Sequence, residues 1–138
     1  MFGFSAGGGL SNKKVLDPML ITDSTITFGA PIFGYPSYNN PKEKVKRFIL
    51  EYKKEVQVSM NWDKDRQMII FDHLTSQVND PNRRYTYAPS GEYDGFTWNN
   101  DIWNYKHNLF PILELQDGQA PADEDETGKG KGKKKAKR

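Results

Sequence analysis

Six prolines (Pro18, Pro31, Pro36, Pro41, Pro81, Pro89) and four glycines (Gly29, Gly34, Gly91, Gly95) punctuate the stretch from Val15 to Phe110. Breakers at this density leave little room for long helices. Between them lie short runs rich in Ile, Val, Thr, Phe, Tyr and Trp, at 15–21, 25–33, 56–62, 67–74, 84–88, 93–99 and 102–107. That composition, with turn signals between runs, predicts antiparallel strands. Val56, Val58, Met60 and Trp62 alternate with Gln57, Ser59 and Asn61, the period-2 signature of a half-buried strand. Asp63-Lys64-Asp65-Arg66 then makes a polar turn, and Met68–Leu74 returns as a mostly apolar strand. A second hairpin turns at Asn99-Asn100-Asp101, where Asn and Asp tolerate left-handed backbone. The expectation is a small all-β domain over residues 10–116: an antiparallel meander of seven or eight strands, closing as a partial barrel or a sandwich.

One segment reads two ways. In Lys42–Val56, residues Val45, Phe48, Ile49, Tyr52 and Val56 fall on one helical face, whereas Phe48, Leu50 and Tyr52 share a face only in a strand. Periodicity alone leans to the helix. At the N-terminus, Gly7-Gly8-Gly9 reads as part of a flexible lead-in over residues 1–9. A phosphate cradle there would need a strand before it and a helix opening on Lys-Ser/Thr after it, and Pro18 interrupts the apolar run that follows Lys13-Lys14, so no such helix follows.

Charge separates the domain from the C-terminal segment. Residues 1–116 carry 13 basic and 13 acidic side chains, so they offer no net field to a partner. Residues 117–126 hold five acids, and residues 127–138 hold seven bases: Lys129, Lys131, Lys133, Lys134, Lys135, Lys137 and Arg138. Lacking aromatics, the segment 117–138 has too little apolar surface to offset its ordering entropy and reads as a disordered, acidic-then-basic tail. Its basic end is a candidate for weak, salt-sensitive contact with nucleic acid or an anionic surface, although charge runs more often act as solubilising tails.

Other chemistry finds little support. The absence of cysteine rules out disulfides and thiol nucleophiles. With two histidines and no cysteine, a zinc site would need both His73 and His107 plus carboxylates from separate strands, and nothing in the sequence suggests that. An EF-hand loop beginning at Asp63 needs Gly and Glu where Met68 and Leu74 stand. The cluster Ser90–Gly95 reads as a turn in which Asp94 caps amides. Asp72 and His73 are adjacent in a strand and so point to opposite faces, and Asp72 is expected to find a backbone partner. No nucleophile elbow, His-Glu-x-x-His or Walker sequence is present. A hydrolase would need Asp72, His73 and Asp94 close together. No catalytic residue, cofactor ligand or metal ligand is assigned.

The densest remaining feature is the aromatic stretch from Tyr85 to Phe110. Most of it is expected to form cross-strand pairs. Tyr85, Tyr87, Trp98, Trp103 and Tyr105 are the candidates for an exposed contact surface, and an unidentified protein is the expected partner ahead of any small-molecule substrate.

The strings NKKVLDPMLI, FGAPIF, RFILEYKKEVQVSMNWDKDRQMIIFDHL and PSGEYDGFTW resemble, in that order, the C-terminal region of an uncharacterised family of conserved proteins from Bacteroidota. The similarity spans about residues 10–107. It implies a strand over Lys44–Tyr52, against the periodicity. Members of the family are longer, with a secretion signal and further β-rich sequence upstream. The resemblance therefore implies a cell-envelope or periplasmic setting and a truncated or divergent start here, where Gly7-Gly8-Gly9 replaces a tryptophan-containing turn. It brings no activity and no catalytic residue.

Overall fold

The computed structural model describes residues 1–6, 9–35 and 44–111. Ten strands run through them: β1 Phe2–Ser5, β2 Ser11–Leu16, β3 Met19–Ile21, β4 Ile26–Phe28, β5 Phe33–Gly34, β6 Phe48–Lys53, β7 Met60–Asp63, β8 Met68–Ser76, β9 Tyr87–Asn99 and β10 Ile102–Lys106. A single 3-10 turn, Arg84–Thr86, leads into β9. The domain is all-β, as the breaker density and period-2 runs imply. No helix among the described residues is long and apolar enough to cross a membrane.

Strands β7, β8, β9 and β10 form a consecutive antiparallel meander, and β5 adds to its β10 edge in parallel. A second sheet, ordered β1-β2-β6, lies across it. Strands β3 and β4 pair only with each other, as a hairpin whose Met19, Leu20, Ile21, Ile26 and Phe28 are all exposed. The core forms where Phe48, Leu50 and Tyr52 of β6, with Leu16 of β2, meet Ile69, Phe71 and Phe96 of the larger sheet. Phe48 lies 4.8 Å from Phe71 and 4.9 Å from Phe96, ring centre to ring centre. Tilted and edge-on aromatic contacts of this kind add to the gain from area burial alone.

Several local outcomes reflect this packing. The described part of Lys42–Val56, residues 44–56, holds no helix: β6 starts at Phe48, and Val45 makes only an isolated bridge to Phe33. Burying Phe48, Leu50 and Tyr52 together needs the alternation of a strand, so tertiary burial overrides the helical spacing. The strand is also shorter than the expected Lys44–Tyr52. The flexible lead-in read over 1–9 is corrected too, because Phe2–Ser5 pairs with β2 from Phe2↔Leu16 to Ser5↔Lys13. Residues 15–21 do not form one strand, since Pro18 separates β2 from β3. The β9–β10 hairpin turns on Asn100 and Asp101, both left-handed (φ 53° and 60°). That is the backbone a two-residue turn needs to match the strands' twist. The acidic-then-basic tail and the last apolar run, 112–115, lie outside the described residues.

The expected turn at Ser90–Gly95 is instead part of β9. Opposite His73 the strands fall out of step: Asp72 faces Tyr93 and Leu74 faces Pro89, so Ser90–Glu92 bulges against one residue of β8. Gly91 supplies the φ of +93° at the bulge. Gly95 serves another purpose. A Cβ there would lie 2.7 Å from the Ile69 carbonyl oxygen and 2.9 Å from both Leu109 and Met68, so only glycine lets the chain after β10 fold back over β9.

Candidate functional site

One face of the larger sheet carries, along β9, Trp98, Phe96 and Asp94, and along β10, Trp103 and Tyr105, with His107 just past its end. Trp98 pairs with Trp103 and Phe96 with Tyr105 across the two strands, and on β8 Ile69 and Phe71 stand opposite Phe96 and Asp94. This face runs from tryptophans at the hairpin end, through the aromatic core, to an acid and two histidines at the other end.

At the polar end, Asp94 is 1% exposed. Its Oδ2 accepts the Tyr105 hydroxyl at 2.6 Å and meets His73 Nδ1 at 2.6 Å. Its Oδ1 accepts the Asn108 backbone N–H at 3.0 Å and meets His107 Nδ1 at 2.9 Å. Burial by itself would raise the pKa of this carboxyl. The hydrogen bonds from Tyr105, His73 and Asn108 outweigh that and hold it below the usual carboxylate value. Burial and the same bond to Asp94 push Tyr105 the other way, well above an ordinary phenol. Asp94 therefore stays ionised, and an ionised carboxylate accepts only. Both imidazoles thus donate to it from Nδ1. The rings of His73 and His107 meet edge to face, 4.9 Å apart.

This arrangement corrects the sequence reading for Asp94 and for the two histidines, and agrees with it for Asp72. Asp94 caps no local turn; it holds the chain where it turns back after β10, through Asn108 (φ 48°). His73 and Asp94 meet, but Asp72 does not join them, because its Oδ2 accepts the Ser59 backbone N–H. That is the structural role expected of Asp72. And the two histidines, which no sequence spacing brings together, share one carboxylate. A cleft of about 400 Å³ lies beside this end, bordered by His73, Asp94, Tyr35, Arg84, Arg47 and Glu51.

At the other end all three tryptophans of the chain converge. Trp98 and Trp103 lie 5.1 Å apart, and Trp62 on β7 stands edge-on to Trp103 at 6.3 Å. Strands β7 and β10 are three positions apart in the sheet, so contact between their side chains requires the sheet to curl around this face. Trp62 and Trp98 remain 44% and 49% exposed. With Ile32 and Gln67 the three indoles line an open groove of about 480 Å³. A narrower, mostly apolar cleft continues from it between Phe2, Leu16, Pro18 and Ile69. The β7–β8 turn that carries Gln67 is held by Asp63, whose Oδ1 accepts the Asp65 and Arg66 N–H groups. Its Oδ2 pairs with Arg66 at 2.9 Å, so both carboxylate oxygens already have partners.

The five aromatics singled out from sequence do not form one surface. Trp98 and Trp103 belong to the groove. Tyr105 points into the Asp94 cluster. Tyr85 is exposed in the 3-10 turn, and Tyr87 lies under the Arg84 guanidinium at 4.9 Å, both away from the indoles. The sequence pattern does not single out Trp62, because its alternation with Met60 reads as a buried strand face when in fact Trp62 stands in the open. No protein-family model, no curated protein and no solved structure matches the chain.

Proposed function

We propose that this is a non-enzymatic protein-interaction domain that grips an apolar segment of its partner in the tryptophan groove. The supporting observation is the convergence of Trp62, Trp98 and Trp103, two of them nearly half exposed, at the end of a face whose centre is buried. A monomer gains nothing from leaving two indoles, each packed on Trp103, half in water. Tryptophan is among the residues that dominate binding energy at interfaces, through area and a polar N–H. A neutral domain with no net field fits an apolar contact better than an anionic one.

The test is selection from a random peptide library displayed on phage, with counter-selection on Trp62→Ala/Trp98→Ala. Enriched sequences carrying large apolar residues, which quench tryptophan fluorescence of the wild type only, are expected. Enrichment that survives the double substitution would overturn the reading. The alternative, contact of Lys129–Arg138 with nucleic acid or an anionic surface, rests on charge alone and lies outside the described residues. A cell-envelope setting rests only on the family resemblance and belongs to this proposal.

A further inference from the structure

We propose that His73, Asp94 and His107 form a binding site for a single transition-metal ion of the zinc type. The three side chains each offer one ligand atom, and these atoms all lie within 4.8 Å of one another. Zinc bonds of about 2.0–2.1 Å at tetrahedral angles put neighbouring ligand atoms roughly 3.3 Å apart. The contacts of 2.6 and 2.9 Å from Asp94 to the two Nδ1 atoms, with the 4.8 Å limit, bracket that spacing. Small rotations of the side chains open the ring.

Three further observations bear on it. The chain has only two histidines, and both arrive here, one from β8 and one from the segment after β10. The carboxylate between them is buried and its orientation is fixed from behind by the Tyr105 hydroxyl and the Asn108 N–H. Outer partners of this kind hold a ligand in place and are typical of metal centres. Finally, the site is accessible: the His107 side chain is 55% exposed and His73 27%.

In this arrangement two N–H protons fill the space between the imidazoles and Asp94. The ion takes their place: each ring gives up its Nδ1 proton to solvent and, as a neutral ligand, carries its single proton on Nε2 instead. Nitrogen and oxygen donors without thiolate favour zinc, nickel or copper over calcium and magnesium. Three protein ligands leave a fourth position for water.

The experiment uses the full chain with no histidine tag. Zinc chloride is titrated calorimetrically into wild type and His107→Ala, with circular dichroism confirming the fold of the variant. Nitrogen-15 NMR of the two imidazoles in the wild type serves as a readout independent of any substitution. One ion per chain, displacement of both histidine signals, and weakening by more than the roughly 10–100-fold typical of outer-partner changes in His107→Ala are expected. No saturable binding by the wild type would overturn the site. Binding unchanged in His107→Ala, with the imidazole signals unmoved, would also overturn it.

Discussion

The two ends of one sheet face solve opposite problems. At the polar end a charge is buried, and four donors converge on it. At the hairpin end three indoles gather and are left partly in water. Both histidines sit at the first, and all three tryptophans at the second. A buried carboxylate without partners would be costly, so the first end is tied into the fold. Open indoles carry no such obligation. The difference separates residues whose loss should cost stability from residues whose loss should cost binding.

The sharpest way to break that contrast is Asp94→Ala. It leaves the Tyr105 hydroxyl and the Asn108 N–H without their acceptor, and should lower stability by about 3 kcal/mol in urea denaturation. A loss below about 1 kcal/mol would show that the polar end does not hold the fold. Acid titration sharpens the same point. The folded-state pKa of Asp94 is depressed, so its contribution is fully present above the unfolded value near 3.9. It is lost as pH falls below that, through the lower folded value. Asp94→Asn should therefore flatten the stability profile below about pH 4.

Gly95→Ala sets a Cβ against backbone and should cost about 2 kcal/mol, read as a lower denaturation midpoint. Trp98→Ala removes as large a side chain as any in the molecule. Half exposed and paired mainly with Trp103, it should cost only about 1 kcal/mol. A core-like loss of about 3–5 kcal/mol would make the indoles structural. Smallest of all, removing 127–138 should leave the melting temperature unchanged while reducing salt-sensitive retention on heparin.

Local pattern carries much of the fold. The polar turn at Asp63 and the Asn99–Asp101 hairpin depend on neighbours in sequence and are legible there; the 56–62 alternation is legible only in part, since the strand it marks is confined to Met60–Asp63. Phe2–Ser5 is not, because four residues beside a glycine run show no periodicity until β2 is there to pair with. Lys42–Val56 is ambiguous because its helical and strand faces share Phe48 and Tyr52. The polar site is hidden for a different reason. It depends on a bulge at Ser90–Glu92 and on a chain reversal that brings His107 to β9, neither of which any spacing announces. Half of the groove is visible in Trp98 and Trp103. Trp62 enters it only through the curl of the sheet, a property of the whole meander.

The contrast between the two ends comes down to affinity measured alongside stability. A peptide selected on the wild type is titrated into Trp62→Ala/Trp98→Ala, and the urea midpoint of the same sample is recorded. At least a tenfold loss of affinity, about 1.4 kcal/mol, is expected, with a midpoint shift no larger than two partly exposed side chains explain. Unchanged affinity, or a loss matched by unfolding, would contradict an indole groove built for binding.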